Sequence, residues 1–178
     1  MSPETLWNFS VRVYRLPQVG ETCLRLQNEH GLDVNLLLFA HWYGRHHGAI
    51  PAQLLDALLA FTQPWAREVV RPLRHARSWM KQALASEHFN LLPQQPCTQL
   101  RERIKAAELQ SEQLQQQIME ALCEHWLGQQ EAHAVQSFAT QEPLIAANLR
   151  AVAEASAVPF TPALQALLDT LQQAARSD

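Results

Sequence analysis

The chain is poor in glycine and cysteine and carries little net charge, and each of these features argues against a class of protein. Five glycines in 178 residues are too few for the many positive-φ turns of a strand-and-turn fold, so the composition favours helices. The cysteines Cys23, Cys97 and Cys123 form neither a CxxC pair nor a Cys/His finger, which indicates reduced thiols in a cytoplasmic protein. A net charge of -3 is untypical of a protein that coats nucleic acid with its whole surface.

Membrane and secretion signals are also missing from the sequence. No apolar run approaches the roughly 20 residues that a membrane-spanning helix needs. The first residues lack the basic stretch and the apolar stretch of a secretion signal. We therefore expect a cytoplasmic protein with no membrane association.

Common catalytic and metal-binding motifs do not occur either. The sequence has no Walker A loop, no nucleophile elbow and no GxGxxG element. Eight histidines are present, but none stands in an HExxH, Glu-x-x-His or HxH pattern. We expect no cofactor and no bound metal, and we favour a non-catalytic function.

The most informative segment runs from residue 33 to about residue 47 and is apolar on nearly every side. Gly31 is placed to end the preceding helix, and Asp33 can cap the next one, with Leu32 and Leu37 placed for a hydrophobic staple. A helix that is apolar all round is normally surrounded by other helices. The sequence therefore predicts a single all-α domain over residues 1–178, built as a helical bundle around this buried central helix.

Helical periodicity also predicts the elements on either side. Two earlier helices cover about residues 3–15 and 19–29, and Pro72 is expected to bend or divide a helix at 64–85. A long helix over about residues 98–127 should end at Gly128, and two short C-terminal helices follow. The prolines at 93 and 96 mark a candidate sub-boundary at 90–97, which would separate a helical core (1–89) from the long helix and the C-terminal helices (98–178). The long helix should pack along one apolar line, formed by Leu100, Ile104, Ala107, Ser111, Leu114, Ile118, Leu122 and His125.

A basic helix face is the strongest surface signal. Residues 67–81 hold five cations and one acid, for a net charge of +4. The cations are Arg67, Arg71, Arg74, Arg77 and Lys81, opposite an apolar face of Trp65, Val69, Leu73 and Met80. Such a row can bind an acidic protein surface or the phosphates of RNA or DNA. It can equally be a solvated face that pairs with glutamates of the long helix.

Three polar side chains of the central helix form a candidate pocket, namely Asp33, Asn35 and His41. An acid, an amide and an imidazole could serve a small-ligand binder or an enzyme, with an arginine as a fourth member. The alternative is structural, with Asp33 as the helix cap and His41 as a hydrogen-bonded core histidine.

Several motifs in the first half of the chain resemble those of a family of uncharacterised small bacterial proteins. They are Trp7-Asn8-Phe9-Ser10, Tyr14, the segment Cys23–Gln27, and the element Gly31-Leu32-Asp33-Val34-Asn35-Leu36-Leu37-Leu38 followed by Trp42. The element has the form Gly-x-Asp-Val-Asn-Leu-Leu-Leu. The resemblance implies a bacterial, cytoplasmic, helical protein, and it implies no catalytic or binding residues. It does not extend past Pro93, so the role of the second half stays open.

From these observations we predict a non-catalytic interaction or adaptor protein that binds a protein or acidic partner through the basic face. The low share of charged residues, 17%, is consistent with a protein partner or a homo-oligomer. One alternative is an RNA- or DNA-associated factor that uses the same face. The other is a small-ligand binder or enzyme with a pocket near Asp33.

Overall fold

The computed structural model describes residues 4–86, 91, 93–130 and 141–174, and within them every regular element is helical. The predicted all-α fold class is therefore confirmed. No helix in these ranges is long and apolar enough to cross a lipid bilayer. In chain order the elements are α1 (Leu6–Tyr14), α2 (Val19–His30), α3 (Val34–His46), α4 (Ala52–Trp65), a π turn (Ala66–Val70), α5 (Arg71–Leu84), α6 (Gln94–Gln130), α7 (Gln141–Ala155) and α8 (Pro162–Ala174).

Side-chain caps and a left-handed glycine define several helix ends. Thr5, Asp33 and Thr161 begin α1, α3 and α8, each accepting a hydrogen bond from a backbone N–H in the first turn. Gly31 ends α2 with a φ of 69°, a conformation in which glycine carries no steric penalty. The Asp33 cap predicted for α3 is confirmed.

Two expected helix breaks are wrong. Pro64 does not restart the chain, because α4 continues through it to Trp65 and then into the π turn. Gly128 does not end α6, which reaches Gln130. A glycine inside a helix costs only about 1 kcal/mol relative to alanine, so a long helix can absorb it.

The chain divides into two compact units. Unit 1 contains Met1–Leu59 together with Gln116–Asp178, and unit 2 contains Ala60–Gln115. The predicted sub-boundary at 90–97 falls inside unit 2, and residues 90 and 92 lie outside the described ranges. The single domain over residues 1–178 stays a prediction.

The core of unit 1 is built around α3, as predicted for the central helix. Every residue from Leu36 to Gly44 is buried. Among its neighbours, α7 packs extensively against α3, and α1 and α2 also contact it. The helix that completes this core therefore comes from the half of the chain after Pro93, whose role the sequence left open.

The packing of α3 against α7 depends on a glycine. A Cβ atom at Gly44 would lie 2.8 Å from Cγ1 and 3.0 Å from Cα of Ile145, and 3.1 Å from Nδ2 of Asn148. Such distances leave no room for a methyl group without movement of the backbone of α7. Gly44 therefore permits the close approach of the two helices.

The amide of Asn148 joins α7 to the end of α3 and to the loop that follows. Its Nδ2 donates to the carbonyl oxygens of Ala40 (3.3 Å) and Gly48 (2.9 Å), and its Oδ1 accepts the N–H of Ile50 (2.8 Å). Asn148 is only 3% exposed. Because buried backbone groups without partners are costly, this one side chain stabilises the loop after α3 by pairing with the Gly48 carbonyl and the Ile50 N–H.

The predicted apolar line of α6 is wrong. In unit 2, Leu100 and Leu114 are 52% and 43% exposed. Ser111 of the predicted line is buried, but the other buried side chains of α6 lie off that line: Glu108 and Gln115 within unit 2, and Gln116, Met119 and Cys123 within unit 1. The buried side of α6 is therefore rotated away from the predicted line. It contains long polar side chains, which a search for apolar spacing does not find.

Gly44→Ala is expected to lower the free energy of unfolding by about 1–3 kcal/mol, because the added methyl group must displace backbone as well as side-chain atoms. The matched control is Gly128→Ala in α6, where, apart from the neighbouring backbone of the same helix, no atom of the described residues lies within 4 Å of an added Cβ. That change should stabilise the protein by up to about 1 kcal/mol, since alanine is the better helix former. Urea denaturation measures both values. Equal stability of Gly44→Ala and the wild type would contradict the close approach.

Candidate functional site

The predicted basic face lies in unit 2, on the π turn and α5. A regular α-helix before Pro72 would place the carbonyl of Glu68 against the proline ring, and the π turn is a wider alternative in which the N–H of Arg71 donates to the carbonyl of Ala66. A π turn holds one more residue than an α turn. The cations before and after it therefore do not form the uniform row that a regular helix predicts.

Two of the five predicted cations are neutralised by α6. Arg74 donates from Nε to Glu108 (2.9 Å) and from Nη2 to Glu112 (2.5 Å). Arg77 donates from Nε (2.5 Å) and Nη2 (3.2 Å) to the two oxygens of Glu108. This is the pairing with glutamates of the long helix that the sequence left open as an alternative. It makes Arg74 and Arg77 structural links between α5 and α6.

Glu108 is the centre of this network. Its side chain is 8% exposed, against 26% for each arginine. Burial alone would raise the pKa of Glu108, but the hydrogen bonds and charges of Arg77 and Arg74 outweigh burial and hold the pKa below its ordinary value. The carboxylate is therefore ionised at neutral pH, and the loss of either partner would leave a poorly solvated charge.

The remaining three predicted cations are exposed. Arg67 is paired with the neighbouring Glu68 at 2.5 Å, with 68% and 66% of the two side chains exposed, and such surface pairs contribute little. Arg71 and Lys81 are exposed, and neither has an acidic partner among the residues that the structure describes. These two cations are available to an external anion.

The charge of the chain is unevenly divided between the two units. Unit 2 contains eight lysines and arginines against five glutamates, a net charge of +3, which leaves -6 for unit 1. Exposed cations of unit 2 also include Arg103 and Lys105 on α6. Trp79 on α5 is 53% exposed and adds a large aromatic surface to the same unit. Cations together with an aromatic ring are typical of binding surfaces.

The three residues of the candidate pocket each make different contacts. The carboxylate of Asp33 accepts the N–H groups of Asn35 (2.9 Å) and Leu36 (3.4 Å), as a cap should. The Asn35 carbonyl oxygen accepts a hydrogen bond from Gln116 of α6 (2.8 Å). The ring of His41 packs edge-on against Phe9 of α1, with centroids 5.3 Å apart. These contacts favour capping and packing roles over a shared pocket.

A second charged cluster, which the sequence analysis missed, joins α1 to the end of α3 in unit 1. Arg12 makes a two-pronged ion pair with Glu4, at 3.1 and 2.9 Å, and the indole N–H of Trp42 donates to the Glu4 carbonyl at 2.8 Å. The hydrogen bond from Arg12 holds the pKa of Glu4 below its usual value, although partial burial opposes this. The cluster attaches Glu4, two residues before α1, to the core helix.

Three histidines near the end of α3 are shifted toward their neutral forms. Burial lowers the pKa of His41 to about 4, and the nearby charges of Arg45 and Arg12 add to this effect. Burial also lowers the pKa values of His46 and His47, whose rings pack on Trp42. Both His46 and His47 are half-buried.

The part of the chain that the structure describes brings together no three His, Cys, Asp or Glu side chains in an arrangement that could hold a metal ion. The thiols of Cys23 and Cys123 are free and buried, and burial raises the pKa of each to about 12. Thiols of this kind are poor nucleophiles and poor ligands at neutral pH. We therefore assign neither cysteine a chemical role.

Glu108→Gln is expected to lower the free energy of unfolding by about 1.5–3 kcal/mol at pH 7, because two half-buried arginines lose a charged acceptor. The wild-type advantage should be complete above pH 4.5 and shrink at lower pH, since the pKa of Glu108 is lowered by folding. Glu102→Gln is the control on the same helix, where exposed pairs with Arg101 and Lys105 contribute under about 1 kcal/mol. Equal effects of the two changes in denaturation would contradict the network.

The neutral state of His41 predicts a pH dependence of stability. The unfolded chain takes up a proton near pH 6.5 and the folded protein only near pH 4, so the contribution of His41 is complete above 6.5 and is lost as the pH falls toward 4. The slope is at most about 1.4 kcal/mol per pH unit. His41→Leu should make the fall in unfolding free energy less steep in this window, whereas His75→Leu, at an exposed position, should not. An unchanged slope in His41→Leu would contradict the burial effect.

Comparison with known proteins gives one family. Residues 5–119 match the family model described as a protein of unknown function, DUF2390. The chain belongs to this family. No curated protein and no solved structure gave a match. The resemblance to an uncharacterised family is thereby confirmed, while the Gly-x-Asp-Val-Asn-Leu-Leu-Leu element as its marker stays a prediction.

The DUF2390 match contains both predicted sites but not all of the core. It includes the basic residues 67–81 and the segment with Asp33, Asn35 and His41. It ends before α7, the main neighbour of α3, and before α8. The role of Asn148 was not predicted, because a lone amide in an alanine-rich helix identifies no partner. The one available signal was Gly44, because a glycine inside an apolar helix indicates close packing.

Proposed function

We propose that this DUF2390 protein is a non-catalytic interaction protein that binds an acidic protein partner through the exposed cations of unit 2. The observation that carries the proposal is the uneven charge, with +3 on unit 2 and -6 on unit 1. A region of one sign attracts a partner of the other sign and raises the rate of encounter.

The internal ion pairs support this proposal by separating two kinds of arginine. Arg74 and Arg77 are used to join α5 to α6, so their charges are balanced by Glu108 and Glu112. Arg71 and Lys81 remain exposed on the helix that these pairs hold in place. A helix anchored on one side has an ordered backbone, so binding through its exposed cations costs side-chain entropy but little further backbone entropy.

The cellular setting that we propose is the cytoplasm of a bacterium. The three cysteines are free thiols, and a reducing compartment keeps them so. Neither Cys23 nor Cys123 is exposed, which is consistent with a structural role in the core.

A second copy of the chain is an alternative to a different partner, and light scattering would detect it as a doubled mass.

RNA or DNA is a second candidate partner, favoured by one observation. Trp79 is 53% exposed on the helix that carries Arg71 and Lys81. Aromatic rings beside cations stack on the bases of single-stranded nucleic acid, and this contributes about 1–3 kcal/mol per base. A protein partner and a nucleic acid differ in how binding responds to salt and to loss of Trp79.

Arg71→Gln with Lys81→Gln is expected to weaken binding of a labelled, glutamate-rich amphipathic peptide at least about tenfold, because two exposed cations are lost. The control is Arg15→Gln with Arg25→Gln, which removes the same charge from exposed positions of unit 1. Fluorescence anisotropy at several salt concentrations measures both, and thermal melting checks that the fold is unchanged.

A labelled single-stranded RNA is titrated in parallel. Binding of the RNA but not of the peptide, weakened by Trp79→Ala and with a steep dependence on salt, would replace the acidic protein by nucleic acid as the partner. No binding of either probe, or equal weakening by the control pair, would overturn the proposal.

A further inference from the structure

A cleft between α7 and α8 in unit 1 has the features of a small-molecule site. Its volume is about 240 Å³. Ala146, Leu149, Phe160 and Leu168 supply apolar lining. A volume of this size corresponds to about eight water molecules at liquid density, which is enough for a ligand of about eight to ten non-hydrogen atoms. An apolar cleft with a few polar groups is the usual form of a ligand site.

Two opposite charges line the cleft without pairing with each other. The Arg150 guanidinium lies over the ring of Phe160, 4.3 Å from its centroid, and its Nε donates to Glu154 at 3.2 Å. One oxygen of Asp169 accepts the amide of Gln165 at 2.6 Å. The terminal nitrogens of Arg150 and the second oxygen of Asp169 have no partner among the described residues, so each charge keeps capacity for a ligand.

The positions of these groups restrict what the cleft can accept. An apolar ligand alone would displace water from the terminal nitrogens of Arg150 and from the second oxygen of Asp169 without replacing its hydrogen bonds, which is unfavourable. A simple anion would use Arg150 but would be repelled by Asp169. A ligand with a carboxylate, an ammonium group and an apolar side chain satisfies the arginine, the aspartate and the apolar lining together.

We infer that the cleft between α7 and α8 binds a small zwitterion with an apolar side chain, of the class of free apolar amino acids. The carboxylate pairs with Arg150, the ammonium group with Asp169, and the side chain lies against Leu149 and Leu168. The site belongs to unit 1 and lies after the residues that match the DUF2390 family. It is therefore independent of the proposed binding of an acidic partner by unit 2.

Isothermal titration of the full chain with L-leucine and L-phenylalanine tests the inference. We expect saturable binding of at least one of them at up to millimolar concentration. Arg150→Gln and Asp169→Asn should each weaken that binding at least about tenfold. Arg25→Gln, which removes an arginine from a comparable exposed pair on α2, and Asp56→Asn, on α4, are the controls and should bind as the wild type does.

Two ligand derivatives, each lacking one charged group, test the assigned roles in combination with the two cleft variants. Leucinamide lacks the carboxylate, so its weak binding should not change further in Arg150→Gln. N-acetyl-leucine lacks the ammonium group, so its weak binding should not change further in Asp169→Asn. Absence of heat from both amino acids at millimolar concentration would overturn the inference, as would equal binding by the wild type and both cleft variants.

Discussion

The close approach of α3 and α7 is the constraint on which the rest of unit 1 depends. From Leu36 to Gly44 every residue of α3 is buried, so this helix is stable only if neighbours cover all of its sides. Gly44 allows α7 to reach the backbone of α3, and Asn148 then pairs with polar atoms of α3 and the following loop. The contact combines close backbone packing with buried hydrogen bonds, so it restricts both the position and the register of α7 on α3.

Unit 2 is held together in a different way. Its helices α5 and α6 are joined by long charged side chains, with Glu108 held between Arg74 and Arg77. Ion pairs of this kind fix geometry more than they add stability, because each charge also loses water. For function, this means that two of the five cations of the basic face are already paired within unit 2. The charge left over, together with the exposed Trp79, is what the unit can offer to a partner.

The two units thus present two different chemistries. Unit 2 carries an excess of exposed cations, which suits an extended anionic surface, whereas unit 1 encloses a small cleft in which Arg150 and Asp169 are both available. The histidines near the end of α3 belong to neither, since burial lowers their pKa values and His41 packs on Phe9. The residues that match the DUF2390 family include the basic region, whereas the cleft lies outside them.

Features that depend on neighbouring residues along the chain were determined by the sequence alone. Helix content, the Asp33 cap, the Gly31 stop and the burial of α3 follow from local propensity and from the period of apolar residues. Features that depend on which helices meet were decided by tertiary structure. The buried side of α6 contains Glu108 and Gln115, which become core residues only when another helix supplies partners for their polar atoms. The helix that packs against Gly44 could not be predicted either, because spacing along one helix carries no information about the helix against which it packs.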